Sequence, residues 1–173
     1  MMNEATKADA NLRSVQVELR APAREAEGAP MYEIRVVRER RPKYRSPRAV
    51  LDAQAVAAAF REHFEPLDRE QFVVVVLDGK NRIMGFNVVS IGSLTAALVH
   101  PREVFKAAIL SNAAALILAH NHPSGDPTPS AEDRALTVRL RQCGELVGIR
   151  VLDHVVIGDE GQFVSLAEQE GWR

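Results

Sequence analysis

With 173 residues the chain is long enough for one domain with a substantial core and too short for two comfortable ones. Its 46% hydrophobic and 26% charged residues suit a globular domain, and a formal charge of −1 supplies no overall attraction to nucleic acid or an anionic membrane. A single cysteine, Cys143, excludes an intrachain disulfide and a cysteine-rich zinc finger.

No apolar run approaches the roughly 20 residues of a membrane span, and the amino terminus lacks a signal-peptide core. The expected location is therefore the cytoplasm, with no membrane partner. Residues 1–30 scatter polar and proline residues around a short alternation, Val15, Val17 and Leu19, and are read as a disordered tail. Residues 31–49 hold a short edge strand, Tyr32 to Val37, followed by Arg38, Arg40, Arg41, Lys43, Arg45 and Arg48. This basic arm or linker is either a polyanion contact or a solvated connection; with Tyr44 as its one interleaved aromatic, the solvated connection is preferred.

The domain proper is expected over residues 50–173. Asp52 caps a predicted helix from Ala53 to Phe64, whose apolar stripe is Val56, Ala59, Phe60 and Phe64. Glu70 precedes Phe72 to Leu77, a β-branched run suited to a central strand covered on both faces. Asp78-Gly79-Lys80-Asn81 signals a hairpin into Ile83 to Ile91. His100-Pro101 starts a helix through about Leu110.

An apolar run, Leu116 to Ala119, then ends in His120-Asn121-His122 and a loop rich in proline and glycine. Side chains alternate along a strand, so His120 and His122 point the same way and Asn121 points the other way. Ser130, Glu132 and Asp133 open a further helix, with Gly144 and Gly148 marking its end and Cys143 a structural residue there. Two imidazoles and one carboxylate can provide three protein ligands to zinc, leaving the fourth position for water. Ser130 and Asp133 equally resemble a helix capping box, so Asp133 has two readings, ligand and cap. Ile149 to Ile157 forms another buried strand; Asp153 and His154 face opposite sides of it, so at most one of them addresses the histidine pair. Asp159-Glu160-Gly161 turns into a short strand from Gln162 to Leu166, and a frayed helix ends the chain.

The sequence His120-x-His122, seven residues, Ser130, two residues, Asp133 resembles the JAMM (MPN+) metalloprotease motif. The flanking Val99-His100-Pro101-Arg102-Glu103-Val104-Phe105, Ala119 to Asp126 and Leu152 to Gly158 resemble the bacterial RadC family in particular. The resemblance implies an α/β JAB/MPN-type fold with a mixed, substantially antiparallel sheet flanked by helices. It implies one zinc ion per chain, held by His120, His122 and Asp133. It also implies two catalytic groups: Glu70, at the position of the family's upstream glutamate, and Ser130, the motif serine that helps hold a tetrahedral intermediate. Without it, Glu70 reads as a solvated strand-edge residue.

The implied function is zinc-dependent hydrolysis of a protein or peptide amide bond through a metal-activated water. Two alternatives belong to other classes. One is a DNA-directed role, drawn from the family's traditional DNA-repair name; residues 1–48 show no pair of glycine-turn helices, and the literal His-Asn-His is no HNH nuclease motif. The other is an idle binding module on the same fold, with no need for all five polar groups. The sequence leaves the oligomeric state open.

Overall fold

The computed structural model describes residues 11–20, 33–45, 52–92 and 99–172, the first two stretches as backbone alone. Seven strands form one sheet in the order β2-β1-β4-β3-β5-β6-β7. They are β1 (Asn11–Arg20), β2 (Glu33–Arg45), β3 (Gln71–Leu77), β4 (Ile83–Ile91), β5 (Ala115–Asn121), β6 (Arg150–Ile157) and β7 (Phe163–Ser165). The helices are α1 (Ala53–Phe64), α2 (Pro101–Leu110), α3 (Ala131–Val147) and α4 (Leu166–Glu170). Four of the neighbouring pairs are antiparallel, while β1–β4 and β5–β6 are parallel. This is the mixed, mostly antiparallel sheet between helices that the sequence leads one to expect. Among the described residues no helix is long and apolar enough to cross a membrane.

The sheet is covered on both faces. Val73, Val75 and Leu77 of β3 and Ala115, Ile117 and Ala119 of β5 pack with Val56, Phe60 and Phe64 of α1. Their alternates, Phe72, Val74, Val76, Leu116 and Leu118, pack with Val104, Phe105 and Leu140 of α2 and α3. Every residue of β3 and β5 is buried, which explains why these strands are continuous apolar runs rather than alternating ones. The α1 helix begins where Asp52 Oδ1 accepts from Ala55 N at 2.8 Å.

Three expectations are corrected. Within residues 1–30 the part described, Asn11–Arg20, is a strand and not tail, while the edge strand expected from Tyr32 to Val37 is present as Glu33–Arg45 and runs on through the basic segment. Val17 pairs with Val36 and Leu19 with Ile34, so each segment completes the other's hydrogen-bond ladder, a long-range pairing that the short alternation around Val17 announces only faintly. Residues 1–10, 21–32 and 46–49 of those expectations lie outside the described residues. The predicted strand from Gln162 to Leu166 is only Phe163–Ser165, because Ser165 accepts from Glu168 N and starts α4 at Leu166. Finally, α3 runs through Gly144 and stops at Gly148, whose φ of 71° is the left-handed conformation common after a helix.

Gly144 serves packing rather than termination. A Cβ there would lie 2.5 Å from the Ile149 carbonyl oxygen and 3.4 Å from the Phe105 ring. Alanine in a helix is favoured over glycine by about 1 kcal/mol. Gly144→Ala is nevertheless expected to destabilise the domain by about 1–3 kcal/mol, because backbone cannot retreat as a side chain can. Urea unfolding of the two proteins reads this directly.

Candidate metal centre

The site forms where β5 ends and α3 returns to the sheet. His120 is the penultimate residue of β5, and His122 N donates to Ile157 O at 3.0 Å, prolonging the β5–β6 pairing by one step. Both imidazoles face the α3 side, with their Nε2 atoms 3.0 Å apart. The loop between His122 and α3 folds back through Gly125, whose φ of 85° belongs to the left-handed region. Gly125 N donates to His122 O, and Asp159 N donates to Gly125 O.

Asp133 reaches the pair from the first turn of α3. Its Oδ1 lies 3.3 Å from His120 Nε2 and its Oδ2 3.6 Å from His122 Nε2. Both readings of this residue hold together. Ser130 N donates to Asp133 Oδ2 at 2.8 Å and Asp133 N donates to Ser130 Oγ at 3.1 Å, closing the capping box, while the carboxylate also faces both imidazoles. The Ser130 hydroxyl donates to the same Oδ2 at 2.6 Å. The cap therefore fixes the carboxylate rather than competing for it.

His120, His122 and Asp133 offer ligand atoms that all lie within 4.8 Å of one another. Ligands about 2.0–2.1 Å from a tetrahedral ion stand roughly 3.3 Å apart, close to the 3.0, 3.3 and 3.6 Å separations here. The ring nitrogens agree with this. His122 Nδ1 donates to Asp126 O at 2.8 Å, which leaves the Nε2 lone pair of the neutral ring directed at the centre. An imidazole pair and an aspartate form a donor set suited to zinc among divalent ions.

The electrostatics match a cation site. The bond to Asp133 raises the His122 imidazole above its ordinary pKa, against the opposing effect of partial burial. Burial works to raise the Asp133 carboxyl, yet the adjoining His120 and His122 imidazoles and the hydrogen bond from Ser130 outweigh it and hold that group well below the usual carboxylate range. A metal must therefore compete with a proton at His122. Below the raised imidazole pKa, apparent metal affinity is expected to fall by up to about tenfold per pH unit. Chelator competition between pH 8 and pH 6 measures it, and an affinity independent of pH would remove His122 from the ligand set.

Glu70 stands just before β3. Phe72 pairs with His120, and carrying that antiparallel register two residues on sets Glu70 opposite His122, on the same face as the ligands. It is buried, at 9% exposure. Asn121 points to the opposite face, as alternation requires, and its role is visible there. Its Oδ1 accepts from Gln71 N at 2.8 Å and its Nδ2 donates to Arg69 O at 3.3 Å, so one side chain grips the backbone on both sides of Glu70.

His154 is fully buried and bonds His120 Nδ1 through its Nε2 at 2.8 Å. Burial pushes its imidazole well below the ordinary histidine pKa, so it stays neutral. Asp153 faces away and accepts from Ser165 Oγ, His154 N and Ala167 N, with burial raising its carboxyl despite those bonds. Of the two, His154 addresses the centre. Thr137, on α3, bonds His154 Nδ1 and was not singled out by the sequence; its one signal is that it follows Asp133 by a single helical turn.

A cleft of about 410 Å³ opens beside His122. Arg61, Phe64 and Glu65 of the α1 end form one wall, and residues 157–161 form the other.

Residues 50–172 match the family model of the RadC-like JAB domain. The chain is 52% identical over 127 residues to a UPF0758 protein of Syntrophotalea carbinolica, covering 73% of this chain and 53% of that protein. It is 55% identical over 114 residues to a UPF0758 protein of Moorella thermoacetica, covering 66% of this chain and 49% of that protein. With a UPF0758 protein of Caldanaerobacter subterraneus the identity is 51% over 121 residues, 70% of this chain and 52% of that protein. The chain thus spans about half the length of the curated relatives it matches.

Proposed function

Since the chain belongs to the family of RadC-like JAB domains, we propose that it is a zinc-dependent hydrolase of protein or peptide amide bonds. The observation that carries this is the convergence of His120, His122 and Asp133 at the end of β5, with Glu70 opposite His122 on the same face. His120, His122 and Asp133 would hold the ion. Zinc in such a site supplies a Lewis acid and brings the pKa of water bound to it toward about 7.

The chain's own groups have separate tasks. Glu70 takes a proton from the attacking water and returns it to the leaving nitrogen as the C–N bond breaks, so that an acid and an amine result. Its backbone is held by Asn121 and by Gly92 N, which donates to Glu70 O at 2.8 Å, so the carboxylate works from a fixed base. Ser130 stabilises the oxyanion as charge appears there. To do so, its hydroxyl must turn from Asp133 Oδ2 toward the substrate. The cleft beside His122 receives the chain flanking the scissile bond.

The test is metal content by elemental analysis of protein purified without a histidine tag, followed by assay on peptide and isopeptide libraries. One zinc per chain and cleavage that stops with chelator and returns with zinc would support the proposal. A zinc-loaded protein that cleaves nothing would overturn the hydrolase, and partner binding indifferent to zinc would favour a binding module on the same fold.

A further inference from the structure

Two buried side chains behind the ligands have no part in the hydrolysis just described. Thr137 Oγ1 lies 2.5 Å from the carbonyl oxygen of Asp133, one helical turn back, and 2.5 Å from His154 Nδ1. His154 Nε2 in turn lies 2.8 Å from His120 Nδ1. Thr137 and His154 are almost wholly enclosed, at 1% and 0% exposure, so water does not share these bonds.

For neutral rings, the form that can offer a nitrogen to a metal, counting protons along this row leaves one arrangement. A carbonyl oxygen only accepts, so the Thr137 hydroxyl spends its single proton on Asp133 O. The same hydroxyl can then only accept from His154, whose proton must be on Nδ1. A neutral imidazole carries one N–H, so His154 Nε2 is an acceptor and the proton between the rings belongs to His120 Nδ1. His120 Nε2 is left with its lone pair facing His122 and Asp133.

We infer that Thr137 and His154 are positioning residues that fix the ring form of His120, holding its Nε2 unprotonated for a metal. The inference rests on the metal-centre part of the proposed function and is independent of any substrate. The starting carbonyl belongs to Asp133, itself a ligand, so the first turn of α3 supplies one ligand directly and selects the ring form of another. Deleting the Thr137 hydroxyl removes the acceptor that keeps the His154 proton on Nδ1. That proton can then move to Nε2 and point at His120, which must accept it on Nδ1 and carry its own proton on Nε2.

Thr137→Val keeps the shape and removes the hydroxyl, while Thr137→Ser keeps the hydroxyl. Chelator competition should show zinc affinity about 10–100-fold weaker in Thr137→Val and within a few-fold of wild type in Thr137→Ser. Long-range ¹H–¹⁵N correlation of the histidine rings, in zinc-free protein, should find the His120 proton on Nδ1 in wild type and Thr137→Ser, and displaced in Thr137→Val. Circular dichroism confirms that each variant is folded. Wild-type affinity and an unchanged His120 ring in Thr137→Val would overturn the inference. If wild type bound no zinc, the metal-centre reading would fall, and the ring nitrogens would still decide whether Thr137 sets the state of His120.

Discussion

Glu70→Gln is expected to lower amide hydrolysis by about 10²- to 10⁴-fold while leaving one zinc per chain, the signature of a lost general base in an intact metal site. Glutamine has nearly the same shape and keeps a hydrogen-bonding oxygen, but it cannot take up a proton at neutral pH. Among the described residues the group that could hold a metal is His120, His122 and Asp133, without Glu70. Backbone restraint by Asn121 does not depend on the Glu70 side chain, so the substitution should leave the strand entry in place. Paired measurements of kcat/KM and zinc content separate the outcomes. Loss of zinc from Glu70→Gln would make Glu70 a ligand, and a decrease of less than about tenfold would deny it the proton-transfer role.

Asp133→Asn should weaken zinc binding by more than about 100-fold, beyond the range usual for changes outside the ligand set. The carboxylate is needed for its charge, and asparagine retains an oxygen able to accept from Ser130 N. The substitution therefore tests the ligand with much of the helix cap preserved. A second consequence concerns pH. The Asp133 carboxyl is held well below the ordinary carboxylate range, so its stabilising effect is present above the unfolded pKa of about 3.9 and is lost as pH falls through the folded value. Asparagine lacks this contribution at every pH. In zinc-free protein, unfolding scans should place wild type above Asp133→Asn at pH 7 and bring the two together at strongly acid pH. Full zinc affinity in Asp133→Asn would remove the residue from the ligand set.

Local signals account for what the sequence made legible. An aspartate cap and an apolar stripe defined α1 as Ala53–Phe64, and the Asp78-Gly79 turn joined β3 to β4. Period-two alternation correctly turned His120 and His122 to one face and Asn121 to the other. The supporting contacts were hidden because they depend on pairing between distant strands. Asn121 meets backbone about fifty residues earlier. Alternation set Asp153 and His154 on opposite faces but could not say which of them met the histidines, because β6 carries an irregularity. Leu116 pairs with Val151 and Ile117 with Asp153, so Leu152 is an extra residue in the ladder. That bulge lets Val151 and His154, three residues apart, both face α3. Thr137 looked like an ordinary helical residue until the fold set His154 against it. Gly144 looked like a helix stop because its packing partner, the Ile149 carbonyl, lies beyond the turn.

The position of β2 gives the basic segment a meaning separate from any ligand. Among the described residues β2 is the outermost strand of the sheet, paired with β1. A free strand edge invites other chains to add to it, and proteins commonly discourage this with charge and with proline, which cannot donate to a ladder. Over Glu33–Arg45 the sequence supplies Arg35, Arg38, Arg40, Arg41, Lys43 and Arg45 together with Pro42. A second copy approaching edge to edge would bring like charges together along the same line. Charge and Pro42 along this strand thus disfavour edge-to-edge pairing of two such sheets.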